Sequence, residues 1–89
     1  MLFRSTSGIA TLTGNANGAA LTINGSGGTL NLGVGLTHTF TGVVTLTSGV
    51  LNGGSSILNE NAVSTTAWNG TGSVFVPANS TINFGAAGA

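Results

Sequence analysis

Between Leu30 and Leu46 the even positions read Leu30, Leu32, Val34, Leu36, His38, Phe40, Gly42, Val44 and Leu46, while the odd positions are mostly Thr, Asn and Gly. Alternation with a period of two is the mark of a β-strand with one apolar face. As one unbroken strand this stretch would run about 55 Å, several times the usual length. The chain must therefore bend, and Gly33, Gly35 and Gly42 are the expected corners. Similar short runs occur at Ile9–Thr13, Ala20–Asn24, Thr29–Leu32, Leu36–Thr41, Val43–Thr47, Ser56–Asn59, Thr65–Trp68, Ser73–Val76 and Thr81–Phe84, alternating with Gly, Asn and Ser punctuation. No long window is free of the poor helix formers Gly, Thr, Asn and Ser, so the pattern predicts an all-β fold.

Two architectures fit these strands. In a short parallel β-solenoid each strand lies on one side of a coil, with three strands to a turn of about 20–25 residues. In a β-sandwich or barrel the same strands are joined by hairpins, for which Asn24-Gly25, Asn52-Gly53 and Asn69-Gly70 are suitable turns. Edge chemistry favours the solenoid. A β domain that stands alone guards its edge strands with Lys, Pro or inward charges, and this chain has no Lys and a single proline, Pro77. Unguarded edges imply that the edges are paired in the working state. The division expected is an N-terminal arm at 1–8, one all-β domain at 9–84 and a C-terminal tail at 85–89.

Composition narrows the chemistry further. Among 89 residues there are 16 Gly, 14 Thr, 10 Asn and 9 Ser, and the ionisable side chains are Arg4, His38 and Glu60 alone. The charged fraction is 2%, against a usual value of about 25%. A net charge near zero leaves little repulsion between copies, and one Arg cannot neutralise a phosphate backbone, so nucleic acid is not an expected partner. No apolar run reaches the length of a membrane helix, so membrane insertion is not expected. The Met1–Gly8 segment lacks the apolar stretch of a secretory signal. This points to a processed piece of an exported protein, or to a protein released by lysis.

Few residues could carry chemistry. His38 lies between Leu36 and Phe40 on the apolar side and is expected to be a satisfied core or contact histidine; a metal site would need further ligands, and only Glu60 is present. A Ser, His38 and Glu60 triad lacks the Gly-x-Ser-x-Gly elbow, and the absence of Asp removes calcium-binding repeats. No catalytic, cofactor or metal residue is assigned, and the chain is expected not to be an enzyme. Thr-x-Thr triplets at Thr11–Thr13, Thr37–Thr39, Thr39–Thr41 and Thr45–Thr47 raise an ice-binding array, though Thr is also simply a good outward strand residue. Trp68 is expected in the core or an interface, with a sugar-stacking platform as the alternative. Asn24, Asn69 and Asn79 each begin a glycosylation sequon. The candidate core and assembly residues are Leu30, Leu32, Leu36, His38, Phe40, Val44, Leu46 and Trp68.

The runs GTLNLG at 28–33, FTGVVTLTSGVLNGGSSILN at 40–59 and WNGTGSVFVPANSTINF at 68–84 resemble the Gly/Thr/Asn-rich repeats of bacterial surface proteins. Similar stretches occur in autotransporter passengers, adhesins and phage fibre or virion proteins. The resemblance implies a parallel β-solenoid used as a stalk or scaffold. The expected function is a non-enzymatic subunit that assembles with copies of itself into an extracellular filament or surface fibre. A virion decoration or fibre protein, and a carbohydrate- or ice-binding module with glycans as partner, are the alternatives.

Overall fold

The computed structural model describes residues 1–63 and 66–85 of the chain. It consists of ten strands: β1 (Leu2–Phe3), β2 (Ile9–Thr11), β3 (Asn17–Gly18), β4 (Leu21–Asn31), β5 (Val34–Phe40), β6 (Val44–Asn52), β7 (Ser55–Glu60), β8 (Trp68–Gly70), β9 (Val74–Val76) and β10 (Thr81–Phe84). Among the described residues there is no helix, and so none long and apolar enough to cross a membrane.

Every strand pairing is parallel. Parallel neighbours need a long connection between them, and here that connection is the rest of a coil. Paired residues lie from 20 positions apart, as in Leu2↔Thr22, to 24 apart, as in Val44↔Trp68. The chain thus winds into a β-solenoid of about four turns. One sheet stacks β1 and β2, then β4, then β6, then β8 and β9, and the other stacks β3, β5, β7 and β10. The hairpin architecture is excluded for the described residues. Asn24-Gly25 and Asn69-Gly70 lie within β4 and β8, and Asn52-Gly53 turns the corner from β6 to β7.

Inward side chains form columns along the coil axis, one residue per turn. Phe3, Ile23, Leu46 and Gly70 make one column; Ala10, Leu30, Leu51 and Phe75 make a second; Gly18, Phe40, Glu60 and Phe84 make a third. Leu21, Ile23, Leu30, Leu32, Phe40, Val44, Leu46, Leu51 and Leu58 are buried in one continuous core. Thr, Asn and Ser occupy many of the outward positions, where polar ladders cross between turns: Asn83 Nδ2 donates to Asn59 Oδ1 at 3.0 Å, and Ser48 Oγ to Asn24 Oδ1 at 3.0 Å.

Glycine is required at two levels of the coil. At the corner before the second sheet, Asn31 Oδ1 accepts from Gly33 N–H at 2.8 Å, and one turn higher Asn52 Oδ1 accepts from Gly54 N–H at 2.9 Å. Both glycines have positive φ, 93° and 61°, a region that a Cβ disfavours. Midway along the first sheet, a Cβ on Gly49 would run into the carbonyl oxygen of Gly25 in the turn below.

Two expectations are corrected. Val34 points outward, 82% exposed, because Gly33 and Gly35 both take positive φ and the register slips between Val34 and Thr37. That slip restores the phase, so His38 and Phe40 are again inward. The segment expected as an arm at 1–8 instead supplies β1 to the first turn, with Phe3 buried against the core and Leu2 paired to Thr22. Of the tail at 85–89, residues 86–89 lie outside the described residues, as does Thr65 of the strand expected at Thr65–Trp68.

Candidate functional site: the buried polar residues and the open C-terminal end

Of the residues singled out in the sequence, Leu30, Leu32, Phe40, Val44 and Leu46 are buried in the core, Leu36 is half-buried at the corner after Gly33, and His38 is fully buried. His38 is held at both ring nitrogens. Ala16 N–H donates to Nδ1 at 2.9 Å, so Nε2 carries the proton and donates to the Leu32 carbonyl at 2.6 Å. Neither nitrogen is left for a metal or a substrate. Ser56, buried one turn above the Leu36 corner, accepts from Leu36 N–H at 3.3 Å, and its hydroxyl lies 2.8 Å from the Gly33 carbonyl. His38 and Ser56 thus lock the corner between β4 and β5.

Glu60 is the third buried polar residue, 0% exposed between Phe40 and Phe84 in its column. Its Oε1 accepts from Ala62 N–H at 3.1 Å, and Oε2 has no hydrogen-bond partner. Desolvation pushes the carboxyl above its ordinary value, offset in part by the backbone amides of Ala62 and Val44. Glu60 and His38 sit in separate columns, and among the described residues no group of three His, Cys, Asp or Glu could hold a metal ion. Parity could have exposed both Ser56 and Glu60, since each is two residues from the core residue Leu58.

The threonine triplets do not build a regular array. Thr45 stacks on Thr22 but is followed by Asn69, and Thr37 is followed by Ile57. The sequon residues Asn24, Asn69 and Asn79 are all exposed.

The most distinctive feature is the end of the coil. In the last described turn the inward residues Trp68, Phe75, Ile82 and Phe84, which no turn covers among the described residues, line a hollow of about 290 Å³. Phe75 and Phe84 meet Trp68 edge to face, with ring centroids 5.2 and 6.1 Å away. The sequence left Trp68 without an aromatic companion nearby. Coiling brings Phe75 and Phe84 beside it, from seven and sixteen residues further along the chain. A signal was available: three of the five aromatic residues fall between 68 and 84. The hollow is lined almost wholly by carbon, so it offers apolar contact and little that could bond to a sugar hydroxyl. Comparison with protein-family models, curated proteins and solved structures finds no match to this chain.

Proposed function

We propose that the chain is a non-enzymatic structural subunit that assembles with copies of itself into an extracellular filament or surface fibre. The observation that carries this reading is the last described turn, where no described residue covers Trp68, Phe75, Ile82 and Phe84 and Phe84 is 50% exposed. Among the described residues β8, β9 and β10 pair only on their inner side, as do β1, β2 and β3 at the opposite end. Unpaired edges of this kind template further strands. The near absence of charge supports the same conclusion, because nothing repels an approaching copy.

Sedimentation velocity and electron microscopy on the purified protein test the reading. Elongated particles that grow with concentration are expected, and a dispersed monomer at high concentration would remove it. Capsid or tail genes beside its gene would move the same assembly from a cell surface to a virion.

A further inference from the structure

We infer that copies join head to tail, the last turn of one seating on the first turn of the next so that the columns of the core run unbroken across the junction. This rests on the self-assembly reading and names the partner and the register of its interface.

The inference comes from the sizes of the residues that end each column. The column that ends in Phe84 begins with Gly18, and the one that ends in Phe75 begins with Ala10. The column that ends in Ile82 begins with Ala16, the residue before the Asn17↔Thr39 pair. In a fourth column the sizes are reversed: the column that ends in Gly70 begins with Phe3. Three of the four residues that line the hollow therefore face a small residue at the other end, while Trp68 ends the column of Leu21 and Val44, which begins at Met1, the residue before the Leu2↔Thr22 pair. In a close-packed interior, large opposite small interdigitates without voids, whereas large opposite large does not. Stacking two C-terminal ends would set Phe84, Phe75, Ile82 and Trp68 against the same bulky set.

Packing of this kind already exists inside the chain, where the Phe40 ring lies over Gly18, 3.6 Å from where a Cβ would stand. In the junction Phe84 takes the other face of that glycine. The backbone fits as well, since strands at both ends run parallel and a translated copy extends each ladder in the same sense. A turn of about 22 residues has a perimeter of roughly 70 Å and, with its outward side chains, covers roughly 600 Å². Two faces then bury about 1,200 Å², which reaches the range of stable specific interfaces. A head-to-tail contact that advances along the axis does not close on itself and generates a filament.

Cysteine pairing tests the register, as the chain has no cysteine of its own. Asn17 and Asn83 are exposed outward neighbours of Gly18 and Phe84, and the junction sets them opposite each other. Asn17→Cys and Asn83→Cys proteins, mixed under mild oxidant, are expected to form covalent heterodimers, and each alone to stay uncross-linked. Ala10→Trp, which fills the seat for Phe75, is expected to raise the assembly concentration at least tenfold with an unchanged circular dichroism spectrum. Homodimers of either cysteine variant, or an assembled sample without the mixed cross-link, would overturn the head-to-tail register while leaving self-assembly standing. Absence of assembly in the parent protein would overturn both.

Discussion

Leu46 and Thr45 are adjacent in β6 and face opposite ways, so a charge at each separates the inside of the coil from its outside. Leu46 is 2% exposed, with Ile23 below it and Gly70 above. Truncation to Ala removes a buried side chain that Gly70 cannot replace, and should cost about 2–5 kcal/mol. In a domain of this size that lowers the melting temperature by roughly 10–30 °C. Leu46→Asp loses the same burial and adds a carboxylate with no partner, since the chain's one Arg, Arg4, is exposed in the first turn. An unpaired buried charge costs several kcal/mol more, and the sum approaches the whole stability of a small domain, about 5–15 kcal/mol. Leu46→Asp is therefore expected to abolish the fold and with it the polymer. Thr45 lies in the outward column with Leu2, Thr22 and Asn69, and Thr45→Lys should change stability by no more than about 0.5 kcal/mol. Far-UV circular dichroism melts and sedimentation velocity on both variants give the answer. A cooperative melt for Leu46→Asp within a few degrees of the parent would refute the inward assignment of Leu46 and the column model built on it.

Glu60 makes stability depend on pH in an uncommon direction. Its folded carboxyl is raised above the ordinary value, so the fold favours the protonated form: its stabilising contribution is full below the ordinary carboxyl range and is lost as pH rises through the raised value. Melting temperature should fall between weakly acidic and neutral pH in the parent and stay level in Glu60→Gln; a rise with pH in the parent would contradict this. His38→Leu orphans Ala16 N–H and removes one donor from the Leu32 carbonyl, for an expected loss of about 1–3 kcal/mol, and neither Zn²⁺ nor a chelator should shift the melt of the parent; a metal-dependent shift would show that a ring nitrogen is free after all. Gly49→Ala should destabilise by more than about 1 kcal/mol, because the new Cβ meets the Gly25 carbonyl at a φ of 93°. Gly14→Ala, with open space around it, should be neutral or slightly stabilising, and equal melts for the two would discount the packing at Gly49.

The residue pattern alone was enough for an all-β class of fold, with edge chemistry tilting it toward a solenoid. Alternating Leu, Val and Phe with Thr and Asn can form only a half-buried strand, and the punctuating glycines prevent one long strand, so short strands bent at corners were legible, with a coil of about 20–25 residues per turn as one of two ways to join them, as was the placement of Leu30, Leu32, Phe40, Val44 and Leu46 inside. Val34 was not legible, since the rule of two holds only while the backbone stays extended, and Gly33 and Gly35 leave that region. The pairing of residues across turns was not legible either. Turn length drifts between 20 and 24 residues, so local pattern cannot say which residue stacks on which. Only the tertiary structure decided that Trp68, Phe75, Ile82 and Phe84 meet at one end, that Gly18, Ala10 and Ala16 begin the columns three of them finish, and that Glu60 is enclosed between two phenylalanines. Those are consequences of register, which side chains distant in the chain settle together by packing.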